Sequence, residues 1–262
     1  RINRLHKIED QFAFGSGDYK SSIIGFVCPK SKNLTATYHL VGGKWTPTIK
    51  EPNAFFPEIV KPMFLNPKRF MALIGGRGSG KTIVKGDHGL IGMHDLGRNL
   101  MCIREFQSSI SDSVHAVLSD EIKRLELDNY DITERTPTAR KKPMKGLPGK
   151  QKEIDSKEID MNDVQMVFCA NPASSEDPFS QRFIVPFQAE LDAHGVYEDE
   201  MHLIIKMNWS DNPWFSDSGL EQERLFDLKN LPRGTYDWVW EGGFNDEIEN
   251  GLIKPEWFDA CR

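Results

Sequence analysis

The sequence predicts an α/β protein whose sheet is mainly parallel and carries helices on both faces. Three observations predict it. Short apolar runs of strand length recur along the chain, segments with helical spacing fall between them, and the sharpest run ends in glycine just before such a segment. Up to about Asn66 polarity is mixed, although "SSIIGFVCPKSKNLTATYHLVGGKW" has room for two or three short strands about a turn at Gly42 and Gly43. "RFMALIGG" then reads as a buried strand, "GKTIVKGDHGLIGMHDL" as a helix bearing His88 and His94, and "NLMCIRE", ending at Arg104, as a second strand of the same kind.

"QSSISDSVHAVLSDEIKRLEL" places Ile110, Val114, Val117, Leu118, Ile122 and Leu125 at helical spacing behind Ser108 or Ser109 as cap, an amphipathic helix. "VQMVFCANP" and "HLIIKMNW" are two further buried-strand runs, and "GLEQERLFDLKNL" is one more helix. "ARKKPMKGLPGKQK", Ala139 to Lys152, reads as a loop because of Pro143, Gly146, Pro148 and Gly149; it is either a solvated linker or a DNA contact. Trp238 and Trp240 in "YDWVWEGG" fall on one face if the segment is a strand, for core packing or for base stacking.

Across 262 residues, 39% hydrophobic and 27% charged, the chain can bury one substantial core or one large domain with an appendage. No apolar run approaches membrane-spanning length and "RINRLHKIED" lacks the apolar centre of a signal peptide, so a cytosolic protein is expected. Cys28, Cys102, Cys169 and Cys261 are widely spaced with no CxxC pair, against a zinc site or a disulfide framework; Cys102 and Cys169 sit in apolar runs as small core residues. A net charge of −6 gives no overall attraction for nucleic acid.

The chemistry-bearing motif is "LIGGRGSGKTIV". Gly75, Gly80, Lys81 and Thr82 satisfy G-x-x-x-x-G-K-[ST], with Gly76, Arg77, Gly78 and Ser79 between. Glycines let successive N–H groups turn toward phosphate oxygens, and the following helix adds its positive end. Lys81 would reach the β and γ phosphates, and the Thr82 hydroxyl would ligate magnesium. Arg77 is not needed for the cradle: it either forks onto a γ-phosphate, here or in a neighbouring subunit, or is a surface arginine held by a nearby acid. Hydrolysis further requires an apolar strand ending in an acid. The nearest match, "HAVLSDE", belongs to the amphipathic helix, where Asp120 and Glu121 read as solvent-facing charges.

"PKRFMALIGGRGSGKT", "MCIREFQSSISDSVHAVLSDEI", "YDIT", "FCANP", "NWSDNPWF" and "YDWVWEGGF" occur in the order seen in the ATPase domain of phage large terminases, the motors that package DNA into procapsids. The chain resembles that family from about Phe56 to Trp257. The resemblance implies a P-loop NTPase of the ASCE type over residues 56–262 behind an N-terminal extension, 1–55, of uncertain structure. It implies ATP and Mg2+ as cofactors, Gly75 to Thr82 as the ATP site, Arg77 in γ-phosphate sensing, and Asn171 in "CANP" as the side chain that reads the γ-phosphate. Arg104 also falls on a family position. Double-stranded DNA, the portal protein, the small terminase subunit and a homo-oligomeric ring are the implied partners, in the host cytoplasm on the procapsid portal, with no membrane.

Two departures stand out. The family's hydrophobic strand and catalytic acid between the "YDIT"-like and "CANP"-like segments have no counterpart here, and "PTARKKP" resembles the family segment just past that acidic motif. A stretch absent between Thr136 and Pro137 accounts for this; the rival is a true deletion that leaves a slow or non-hydrolysing binder. The chain also stops where the family continues into a nuclease domain, so no nuclease activity is expected of it. The alternatives are another P-loop enzyme, helicase-like or a nucleotide kinase, and an interaction module that binds ATP without hydrolysing it.

Overall fold

The computed structural model describes residues 22–96, 98, 100–101, 116–124, 130–132, 138–141, 164–172 and 174–245. Strands β1 (Ile23–Val27), β2 (Leu34–Val41), β3 (Lys44–Pro47) and β4 (Ala54–Pro57) form a first sheet in the order β3-β2-β1-β4. β2 and β3 are joined by the two-residue turn at Gly42 and Gly43, whose φ values of 57° and 78° suit the tight hairpin read from the sequence. A short helix α1 (Lys61–Leu65) leads to β5 (Phe70–Ile74), the glycine loop and the sixteen-residue helix α2 (Lys81–Leu96).

Next come β6 (Leu100–Met101), α3 (Ala116–Arg124), β7 (Tyr130–Ile132), β8 (Thr138–Lys141) and β9 (Met166–Ala170). The chain continues with α4 (Pro178–Phe183), α5 (Gln188–His194), β10 (Val196–Glu198), β11 (His202–Lys206), α6 (Leu220–Asn230) and α7 (Arg233–Tyr236), which runs into a π-helical turn, Asp237–Glu241. The central sheet has the order β10-β11-β5-β9; β11, β5 and β9 are parallel and β10 is antiparallel at the edge. A third sheet, β6-β8-β7, is antiparallel.

The fold is therefore mixed α/β, and three readings of the sequence are corrected. Strand–helix alternation places the "NLMCIRE" run in the parallel sheet, but Leu100 and Met101 pair antiparallel with Ala139 and Thr138 in the third sheet instead, and β5 has β9 and β11 as its neighbours. Ala139 to Lys141 is accordingly strand, not loop. Trp238 and Trp240 lie in a π-turn instead of a strand: the wide turn closes on Gly242 in a left-handed cap, and alternation no longer decides which way each ring points. Trp240 is nonetheless fully buried, as core packing required.

Alternate residues of β5 and β11 feed two cores, as a strand buried on both faces must. Met71, Leu73, Leu203 and Ile205 pack with Val84 and Ile91 of α2 and with Ile24, Phe26, Phe56 and Phe64 from the first sheet and α1. Ala72, Ile74 and Ile204 face Phe183 of α4 and Leu191 of α5. Helices thus cover both faces. β9, at the edge, is half-buried throughout, and Cys169 within it is only partly covered. Residues Ser108, Ser109, Ile110, Val114, Cys102, Arg104, Leu125, Thr136, Pro137 and Cys261 lie outside the described residues.

Leu118 and Ile122 are buried as the amphipathic pattern of α3 required, and Asp120 is exposed. Glu121 is not: it lies buried against Arg124 one turn on, and the Arg124 guanidinium also donates to Asp87 of α2 at 2.7 Å. An acid three residues before an arginine on one helix face can be drawn inward when a second buried carboxylate shares that arginine. Burial pushes the Asp87 carboxyl well above the usual range; Arg124 pulls it down and Glu121 pushes it up.

His88 on α2 meets the Phe64 ring edge-on at 5.1 Å. Desolvation, with the positive charge of Arg98, pushes its pKa down to about 4. The sign follows from proton counting: between the ordinary value and about 4 the unfolded chain holds a proton that the folded chain does not, so stability is fully present above that window and falls as the pH drops through it. His88→Gln should remove roughly 2 kcal/mol of the loss in unfolding free energy between pH 7 and pH 4.5, read from urea transitions of both proteins. Identical pH slopes would show that His88 charges freely in the folded chain.

Candidate functional site

Parallel pairing brings three strand ends to one place. Ile74 of β5 is opposite Ala170 of β9 and Lys206 of β11, so the next residues, Gly75, Asn171 and Met207, leave the sheet side by side. Ligands of open α/β sheets bind beyond the carboxyl ends of the strands, where such segments diverge.

The loop between Ile74 and Lys81 is tightly boxed. A Cβ on Gly75, where φ is 137°, would lie 2.1 Å from the Met207 carbonyl oxygen. On Gly76 it would lie 2.1 Å from the carbonyl oxygen of Trp240. The two glycines therefore admit backbone contacts that any other residue would break. The loop N–H groups on this side are satisfied from the same neighbours: Gly76 donates to Asn208 Oδ1 at 3.2 Å and Arg77 to the Val239 carbonyl at 2.6 Å. Asn212 Nδ2 in turn donates to the Gly78 carbonyl at 2.8 Å.

Lys81 opens α2 and turns back into the loop. Its Nζ donates to the carbonyls of Gly75 (2.8 Å) and Gly76 (2.6 Å) and to Ser79 Oγ (2.8 Å), while the buried Ser79 hydroxyl donates to the Gly76 carbonyl at 2.9 Å. All three acceptors of the ammonium are neutral. Burial depresses the Lys81 pKa, partly offset by Cys169. A desolvated cation bound only by neutral oxygens gains from an anion beside it, so the loop fits a phosphate chain. Thr82 is exposed on the first turn of α2, where its hydroxyl could serve a phosphate-bound magnesium that takes its other ligands from phosphate and water. Among the described residues there is no cluster of His, Cys, Asp and Glu that could hold a metal by itself.

Arg77 is half-exposed, ion-paired to Glu223 of α6, with its guanidinium 5.6 Å from the Trp240 ring. The structure thus places it in the surface arrangement that the sequence left open beside the phosphate one. Asn171 lies at the loop's edge: with its amide nitrogen turned inward it donates to the carbonyls of Gly75 (3.1 Å) and Trp238 (3.2 Å). Gly75 to Thr82, Arg77 and Asn171 are therefore brought together. Sequence reasoning missed the clamp around them: Met207, Asn208, Asn212, Glu223 and the 237–242 turn. The available signal was positional, since "MNWSDN" follows an apolar run directly, as "GGRGSG" does.

That clamp is itself braced. Asn208 caps a short 3-10 turn, Trp209–Asp211, and its N–H donates to the Asp211 carboxylate at 2.9 Å. Trp209 Nε1 donates to Glu241 at 3.0 Å, and the buried Arg224 guanidinium stacks on Trp209 at 3.9 Å while donating to the Tyr236 hydroxyl at 2.9 Å. Trp240 Nε1 reaches Asp227 of α6 at 3.0 Å. Desolvation raises the Asp211 pKa, with Glu241 adding to the rise and the Asn208 N–H opposing it.

Asn208→Ala removes the cap and the acceptor for Gly76 together, and should cost about 1–2 kcal/mol of unfolding free energy in urea. An unchanged midpoint would mean that the loop is held without it.

A comparison with curated proteins finds no match. Residues 67–146, the stretch that holds the loop and α2, match the family model described as phage terminase large subunit. With the loop geometry already in place, that stretch of the chain is similar to phage terminase large subunits.

Proposed function

We propose that the chain is the ATP-binding and hydrolysing motor domain of a terminase large subunit, built on a P-loop NTPase fold of the ASCE type, and that it drives double-stranded DNA into a procapsid. The observation that carries the reading is Lys81: a part-buried ammonium, bound by three neutral oxygens of its own loop, at the start of a sixteen-residue helix and beyond the ends of three parallel strands.

Binding would exchange partners. Lys81 would leave the Gly75 and Gly76 carbonyls and donate to β- and γ-phosphate oxygens, regaining the charge stabilisation that burial removes. The loop N–H groups other than those of Gly76 and Arg77, with the amino end of α2, would hold the remaining phosphate charge, and Thr82 would present its hydroxyl to magnesium. ATP with Mg2+ supplies a phosphoanhydride whose γ-phosphoryl is passed to water. Arg77 would swing from Glu223 toward the γ-phosphate, and Asn171, already on the Gly75 carbonyl, would register the phosphate's presence at the end of β9. The portal protein, the small subunit and further copies in a ring are the partners that this role requires.

A second reading has its own observation. The Lys81 ammonium meets no carboxylate among the described residues, and Glu121, in the segment that comes nearest in sequence to an apolar run ending in an acid, lies in α3 and is committed to Arg124. A nucleotide-binding module that does not hydrolyse ATP fits these facts.

Two measurements separate the readings. Calorimetry with Mg–ATP should give saturable binding that Lys81→Ala weakens at least about 100-fold with the fold intact, as loss of a charge-assisted contact to phosphate implies. Equal affinity in the variant would remove the loop from nucleotide binding. Phosphate release that rises on adding duplex DNA supports the motor; saturable binding with no release supports the passive module.

A further inference from the structure

The end of the central sheet remote from the glycine loop carries a second concentration of positive charge. β5 runs from Phe70 to Ile74, so Phe70 lies a strand length, about 13 Å, from the start of the loop. Two guanidinium groups converge on its ring: the Arg69 Cζ is 5.6 Å from the Phe70 centroid and the Arg182 Cζ is 5.0 Å, with Arg182 also 5.3 Å from Phe183. Arg69 Nε is buried and has no hydrogen-bond acceptor among the described residues.

A third arginine reaches the same edge. The exposed Arg98 donates from Nη1 to Gln165 at 3.2 Å, and Gln165 donates to the Lys68 carbonyl at 3.0 Å. Met166, which opens β9, donates its N–H to the Arg69 carbonyl at 2.8 Å. Arg69, Arg98 and Arg182 thus belong to one rim of the sheet.

None of the three is ion-paired among the described residues, although the chain has 39 acids to 33 basic residues to draw on. The carboxylates nearby have other partners. Glu198 takes Lys68 at 3.1 Å and Asn66, while Asp199 takes His202 Nδ1 at 3.1 Å, the N–H groups of Met201 and His202, and the Tyr197 hydroxyl.

We propose that this rim, Arg69, Arg98 and Arg182 about Phe70, is a contact site for the phosphodiester backbone of double-stranded DNA; the inference rests on the packaging reading above. Arginine suits the task because its planar fork matches two phosphate oxygens and its weak hydration lowers the cost of contact. Stacking on an aromatic ring orients the fork in advance. A small phosphate ester finds no enclosing glycine loop here, whereas a duplex presents phosphates in series to several arginines at once. Contacts of this kind read no base, which suits a protein that must hold any sequence passing it.

The test uses the whole chain with a labelled duplex of about 30 base pairs, followed by fluorescence anisotropy across a salt series, with Mg–ATP calorimetry alongside. Arg98→Ala with Arg182→Ala changes two side chains outside the buried core. It should lower the slope of log affinity against log salt by about 1.8 and weaken binding at fixed low salt by about tenfold or more, with nucleotide affinity unchanged. Adding Arg69→Ala should deepen both effects. Arg98→Lys with Arg182→Lys should keep most of the slope, since charge is retained.

An unchanged slope in the double alanine variant overturns the proposal. So does a wild-type chain that binds nucleotide but no duplex. If the alanine variant instead loses self-association in light scattering with duplex binding intact, the rim meets an acidic surface of a second copy, and the proposal falls. A wild-type chain that binds neither ligand fails the packaging reading itself.

Discussion

The site depends on a contact between backbones. Gly75 and Gly76 lie so close to the Met207 and Trp240 carbonyls that a single methyl group at either position would overlap them, and Gly242 closes the same space from the other side. Side chains can adjust to one another, but carbonyls fixed by strand ends and turns cannot. The contact sets how the loop leaves β5, and from that follow the direction of α2, the return of the Lys81 side chain into the loop, and the approach of Asn171 from β9. The parallel register of β9, β5 and β11 makes the contact available by ending three strands at one level.

A loop gripped in this way is connected to more than its own helix. Arg77 ties it to α6 through Glu223, and its N–H ties it to the 237–242 turn through Val239. Trp240 and Arg224 then join that turn, α6 and the Trp209 segment into one cluster with Phe215, Tyr236 and Trp240 buried at its centre. A change in the loop's partners therefore cannot remain local. Re-aiming Arg77 frees Glu223, and moving Gly76 disturbs the Trp240 carbonyl. Under the proposed function, these few short polar contacts are what would couple phosphate binding in the loop to the segments around it.

Local signals in the sequence are reliable where one interaction decides the outcome. The glycine hairpin at Gly42 and Gly43, the strand before Gly75, the helix after it and the buried positions Leu118 and Ile122 all follow from periodicity and turn chemistry. Partner choice is not legible in the same way. Which strand lies beside β5 is settled by residues 90 and more positions away, so the run at Leu100 reads as part of the wrong sheet. Glu121 reads as solvent-facing because Asp87, the buried acid that shares Arg124, lies 34 positions earlier on another helix. The glycine-loop residues are readable because the motif is contiguous. Asn208, Asn212 and Glu223 are not, because they become neighbours of the loop only after the sheet has formed.

If the loop takes nucleotide as proposed, the loop, the Met207–Asn212 segment and the 237–242 turn should close on it as a unit, because they are already joined by Gly76 to Asn208, Gly78 to Asn212 and Arg77 to Val239. Hydrogen–deuterium exchange of the whole chain with and without saturating Mg–ADP tests it most directly. Exchange should slow in three separated segments together, residues 75–82, 207–212 and 237–242, with the first sheet unchanged. Protection confined to 75–82 would contradict the clamp, and no protection in any of the three would contradict the phosphate loop itself.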